Sequence, residues 1–68
     1  MEDISKHFGK KVREIRLKKW LSQGDVARRL NLHRSYVSGI ERGVRNPSLK
    51  VCQKIAKALN VPVDILLK

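Results

Sequence analysis

The sequence predicts an all-α fold: five short helices round one core, with no strand needed to explain it. Apolar residues recur at helical spacing along the chain, and residues that favour helix starts and stops punctuate that periodicity at short intervals. No internal repeat, low-complexity segment or linker interrupts the pattern, so residues 1–68 read as a single small domain.

The first helix is expected over Ile4 to Lys19, because Ile4, Phe8, Val12 and Ile15 fall on one face. Asp3 can serve as its N-cap. Its first turn carries acid and its last carries Lys18 and Lys19, as the helix dipole prefers. The second helix is expected over Gln23 to Leu30, with Val26, Ala27 and Leu30 as its apolar stripe. Ser22 precedes it with Asp25 three residues on, a capping box with Asp in place of Glu. Asn31 stands where a helix end wants a residue tolerant of left-handed geometry, and Leu32 can plug the corner.

The third helix is expected over Arg34 to Arg42, with Val37 and Ile40 turned inward and Gly43 ending it. Val44 to Pro47 reads as a loop. Ser48 then caps a fourth helix whose apolar set is Leu49, Val51, Cys52, Ile55, Ala56 and Leu59, with Asn60 ending it. Val61-Pro62-Val63 leads into a short fifth helix, Asp64 to Leu67, with Pro62 tolerated at its start. Helices two and three, joined by a tight turn, form a helix-turn-helix of the kind that lays its second helix in the DNA major groove.

Charge points the same way. Sixteen Lys and Arg against six Asp and Glu give a formal net charge of +10, which calls for a polyanionic partner. A membrane-surface helix is disfavoured because the apolar residues are needed for a core. No apolar run is long enough to span a bilayer, and the opening Met-Glu-Asp carries no apolar leader segment. Cys52 is the single cysteine, so disulfides within the chain are excluded and a small buried hydrophobe is its expected role. His7, His33 and Cys52 fall into no metal-ligand spacing, and no metal, cofactor or small-molecule ligand is expected.

The run Leu21-Ser22-Gln23, then Val26-Ala27, then Ser35 to Gly43, then Arg45-Asn46-Pro47-Ser48-Leu49, resembles the phage-repressor and Cro family, also called the xenobiotic-response-element family. The similarity runs from Phe8 through Leu67. His33-Arg34-Ser35-Tyr36 with Glu41-Arg42-Gly43 and Asn46-Pro47-Ser48 looks particularly like the controller proteins of restriction–modification systems. The resemblance implies a compact lambda-repressor-like domain that binds double-stranded DNA. It also implies an interior ion pair between Arg16 and Glu41, tying the first helix to the third.

Under that docking the start of the third helix faces the groove. Arg34 is the expected base reader, because its planar fork can donate two bonds to the O6 and N7 of guanine. Ser35 and Ser38 face the groove beside it. Tyr36 either packs its ring under helix two with its hydroxyl toward a phosphate, or meets a thymine methyl. Backbone anchors are expected at Gln23 and Gly24, where helix two presents unpaired N–H groups, and at His33, Arg42, Arg45 and Asn46. Lys6, Lys10 and Arg13 are further candidates on the first helix. Gly39 departs from many family members, which carry a longer polar side chain there: either it lets the helix approach the bases or the position makes no contact.

Two positions near the end of the first helix stand off its stripe. Family members usually carry glycine near Trp20 and a polar residue near Leu17, so an apolar pair is expected here, packed on the loop before helix two or offered to a partner.

The expected function is a sequence-specific transcriptional regulator in the cytoplasm, associated with the nucleoid through DNA. One domain this small reads only part of an operator, so a homodimer on a palindrome is expected. Val61, Val63, Ile65, Leu66 and Leu67 are richer in apolar surface than the core requires. Val63, Leu66 and Leu67 are assigned to the dimer contact, with Leu67 nearest the surface; Ile65 and Leu66 can also close the core. The alternative is an antitoxin or anti-regulator whose main role is to bind a protein. An enzyme is not expected, since the chain has no carboxylate pair, nucleophile–base set or phosphate loop. One Trp, one Tyr and one Phe are too few for a single-strand stacking platform.

Overall fold

The computed structural model describes residues 3–68; Met1 and Glu2, which enter the reading of the opening residues, lie outside the described residues. Five helices follow in order: α1 Ile4–Lys18, α2 Gln23–Leu30, α3 Arg34–Glu41, α4 Leu49–Leu59 and α5 Val63–Leu67. There is no strand among the described residues. α3 packs against both α1 and α2, α4 closes on α2 and α5, and α5 returns to α1.

The starts are set by side-chain caps. Asp3, Ser22 and Ser48 accept from the backbone N–H of Ser5, Asp25 and Val51. The acid near the start of α1 is this cap itself, since no acidic residue stands in its first turn. Ser22 and Asp25 complete the reciprocal capping box of α2. α5 begins one residue earlier than the periodicity placed it, and Pro62 is its N-cap.

Four of the helices end alike. Asn31, Gly43 and Asn60 take left-handed backbone angles just past α2, α3 and α4, and in each case that residue's own amide and the following one donate back to the last carbonyls. The fourth case is Trp20, with φ +60, after α1. Its N–H donates to the Leu17 carbonyl and that of Leu21 to the Arg16 carbonyl, each at 3.1 Å. Left-handed geometry crowds any Cβ, so a tryptophan here carries a strain that glycine would not.

Trp20 consequently points away from the body of the protein, 93% exposed, with Leu17 also exposed. The expected packing of Trp20 on the loop before α2 is therefore overturned.

The core is Phe8, Val12, Val26, Ala27, Val37, Ile40, Cys52, Ile55, Ala56, Leu59 and Leu66. Ile4, Leu49 and Ile65, placed inside by periodicity, are exposed instead. The reason is local: Ile4 and Leu49 lie in the first turns of their helices, past the end of the packed face, and Leu66 takes the inward position that Ile65 cannot share. Leu32 covers only the rim of the α2–α3 corner. Gly9, absent from the sequence argument, is required by the crossing of α1 and α3. A Cβ there would stand 2.0 Å from the Ile40 carbonyl oxygen, so the two backbones meet without a side chain between them.

Candidate nucleic-acid interface

Three helices are locked together at one buried carboxylate. Arg16 of α1 donates through Nε to Oε2 of Glu41 at 2.6 Å and through Nη2 to Oε1 at 3.0 Å. Its Nη1 donates to the Leu21 carbonyl at 2.8 Å. Gln23, first residue of α2, donates from Nε2 to the same Glu41 Oε1 at 3.1 Å. Both charged side chains are nearly inaccessible, yet among the described residues no buried side-chain polar atom lacks a partner. The bond from Glu41 raises the Arg16 guanidinium further above its usual range, and burial opposes it.

This node corrects the simplest picture of Gln23. Its amide is turned inward, leaving one Nε2 hydrogen and the backbone N–H groups of Gln23 and Gly24 for an anion, since that of Asp25 is held by Ser22. Gly24 follows, and a Cβ there would meet its neighbours only at ordinary distance, so space does not demand the glycine. The Arg34 Cδ lies 4.0 Å from that Cβ position, so α3's leading arginine reaches back over the first turn of α2. The Ser22 backbone N–H holds the Asp25 carboxyl below its usual range, helped by the Ser22 hydroxyl and by Arg28 and Arg29.

The start of α3 is held by His33. Its Nδ1 accepts from the Ser35 backbone N–H at 3.1 Å and lies 2.8 Å from the Ser35 hydroxyl oxygen. Arg34 and Ser35 are exposed, and Ser38 is half-buried. The half-buried Tyr36 ring packs against the core, and the Arg45 guanidinium carbon lies 5.0 Å from the ring centroid. A cation over an aromatic face in this range is favourable.

Gly39 completes that arrangement. It is buried, and a Cβ would come within 2.9 Å of the Arg45 Cγ and 3.3 Å of its Nε. The glycine thus makes the bed on which the Arg45 stem lies. Arg42 and Arg45 are exposed beyond the end of α3. Asn46 is partly engaged, since its Oδ1 accepts from the Ser5 hydroxyl at 3.1 Å. Lys10 and Arg13 are exposed on α1, and the Lys6 side chain lies against Gly43.

Of the three residues assigned to a dimer contact, Leu66 is fully buried within the protein and does not face a partner. Val63 is half-buried and Leu67 is 47% exposed. Leu67 shares a shallow groove with Ile4, Phe8 and Cys52, between α1, α4 and α5. Sequence reasoning also missed Arg29, which donates to the Ala58 carbonyl at 2.8 Å and ties α2 to α4. No sequence spacing could flag a bond to a backbone oxygen so distant along the chain. Burial raises the Cys52 thiol above its usual range, as its place in the core requires. Among the described residues no group of three or more His, Cys, Asp or Glu could hold a metal, and no helix is long and apolar enough to cross a membrane.

The α2–turn–α3 unit, with an exposed arginine leading the second helix, defines a helix-turn-helix protein. The chain belongs to the helix-turn-helix family, whose model matches residues 12–66. It is similar to the control protein C.BamHI of Bacillus amyloliquefaciens, at 56% identity over 61 residues, covering 87% of this chain and 75% of that one. Among solved structures it resembles the restriction–modification controller C.AhdI from Aeromonas hydrophila, with a TM-score of 0.87, 45% identity, and 91% and 94% of the two chains covered. It also matches the controller C.Esp1396I, solved as a tetramer with its natural 35 base-pair operator, with a TM-score of 0.84, 33% identity and 100% of both chains covered.

Proposed function

We propose that the chain is a sequence-specific regulator of transcription that controls a restriction–modification system, acting as a homodimer on a palindromic operator. What carries this reading is the meeting of Arg34 with the first turn of α2: a base-reading fork and an anion cradle on one surface. Arg34, Ser35 and Ser38 face the bases. Arg42, Arg45, Asn46, His33, Gly24 and the remaining Gln23 donors meet phosphates, with Tyr36 held beneath Arg45. The net charge of +10 supplies long-range attraction to the duplex. The named relatives are control proteins rather than enzymes, which supports a binding role without catalysis.

We place the dimer contact on Leu67 with Ile4, which line one groove, and the half-site centres one helical turn apart, roughly 34 Å. The chain acts as one domain in the cytoplasm, where its DNA target lies. The partner-binding alternative rested on Leu17 and Trp20, and both side chains are exposed; the DNA-binding reading is preferred because the controller-protein likeness spans nearly the whole chain. Selection from randomised double-stranded DNA tests the reading: it should enrich two inverted half-sites, and enrichment of no sequence would overturn it.

A further inference from the structure

We infer that His33 sets what Ser35 can read: it holds the serine hydroxyl as a hydrogen-bond acceptor, directed at a base edge that carries an exocyclic amine. The inference rests on the reading of α3 as the helix that enters the major groove.

The argument starts from the donors around one nitrogen. The Ser35 backbone N–H is aimed at His33 Nδ1 at 3.1 Å, so that nitrogen carries a lone pair and not a proton. The tautomer that fits this geometry carries its hydrogen on Nε2. The Ser35 hydroxyl oxygen lies 2.8 Å from the same Nδ1. Since Nδ1 has no proton to give, the hydroxyl must donate to it. That contact occupies the serine's only side-chain proton.

What remains on the Ser35 oxygen is lone pairs, on a side chain that is exposed near the start of α3. A free serine accepts from or donates to any base, and so discriminates little. A serine whose proton is committed accepts only. In the major groove the donors are the N6 amine of adenine and the N4 amine of cytosine. Guanine O6 and N7 and thymine O4 are acceptors and would face it lone pair to lone pair. His33 thus acts as a positioning residue: it caps α3 and narrows the choice at Ser35. Its Nε2 hydrogen remains available to a phosphate oxygen.

Three measurements test this. First, nitrogen-15 spectra of the free protein in mildly alkaline buffer should show His33 with Nδ1 unprotonated and Nε2 protonated. The opposite tautomer overturns the inference. Second, site selection with wild type and Ser35→Ala should differ at one base position of each half-site. That position should be adenine or cytosine on the contacted strand. Replacing it with purine or 2-pyrimidinone, which lack the amine, should weaken wild-type binding about fivefold and leave Ser35→Ala unchanged.

Third, His33→Ala should relax that same position, and His33→Asp, which keeps an acceptor at the cap, should retain it. Circular dichroism of both variants checks that α3 still forms. Guanine or thymine at the position, no position lost in Ser35→Ala, or unchanged preference in a folded His33→Ala each overturns the inference. Failure of the wild type to enrich any sequence is a different result, and overturns the DNA-binding reading instead.

Discussion

Arg16 and Glu41, twenty-five positions apart, form a two-pronged ion pair at 2.6 and 3.0 Å inside the α1–α3 contact. Because Gln23 donates to the same carboxylate, the pair fixes α3 against both α1 and the first turn of α2. Removing the carboxylate would strand a buried guanidinium with a single carbonyl partner. Glu41→Ala should therefore destabilise the free protein by about 3–5 kcal/mol. Urea or thermal unfolding without DNA measures this, and an unchanged midpoint would mean that the pair contributes nothing.

Arg34 and Arg45 should separate by the character of their losses. Arg34→Ala should cost about 1–3 kcal/mol on the selected operator and little on random duplex. Arg45→Ala should weaken both alike and lower the slope of log K against log salt by about one. Binding measured on the two duplexes across a salt series distinguishes these outcomes, and equal losses on both for Arg34→Ala would make it a backbone anchor.

Gly39→Ala sets helix propensity against the seat of Arg45. Alanine favours a helix interior by roughly 1 kcal/mol, so the free protein should melt no lower than wild type. The new Cβ would displace the Arg45 stem from its place over Tyr36 and weaken DNA binding. In Gly39→Ala with Arg45→Ala the two losses should not add. Additive losses would show that the glycine acts independently of Arg45.

Trp20→Gly should stabilise. The indole is almost wholly in solvent, so little burial is lost, and glycine removes a left-handed penalty of about 1–2 kcal/mol. A gain near the lower value corresponds to a melting temperature roughly 4–8 °C higher in a domain of this size. A lower one would mean that the indole makes a contact worth more than the strain.

At the other end of the chain, Leu67→Asp should leave a helical monomer that self-associates less, while Leu66→Asp should fail to fold. The difference is that Leu67 stands at the surface and Leu66 inside, where a carboxylate cannot be hydrated. Sedimentation and circular dichroism of the pair check this. A fully dimeric Leu67→Asp would move the interface elsewhere.

The helix-turn-helix was legible because its boundaries are written in local chemistry: Ser22 with Asp25 at one end, Asn31 at the corner, Gly43 at the exit. Trp20 was not legible as a helix terminator, because that role is recognised by glycine or asparagine and a tryptophan disguises it. Ile4, Leu49 and Ile65 misled for another reason: periodicity gives the face a residue lies on, not how far the neighbouring helix extends along it. The Arg16–Glu41 pair came from family likeness rather than spacing. The inward turn of Gln23, the Arg29 bond to Ala58 and the bed of Gly39 all depend on contacts between separate elements, for which the residue string carries no local mark.

The bare crossing at Gly9 gives the protein a fixed gauge. With the α1 backbone resting against the carbonyls of Ile40 and Glu41, the depth at which α3 is mounted is set by the thickness of two main chains and not by any compressible side chain. A single methyl group at position 9 would act as a shim, lifting the exit of α3 relative to the Gln23 end of α2 and tilting the reading head against its own footing. Position 9 is itself buried, yet it calibrates the height from which the exposed side chains at the start of α3 reach outward.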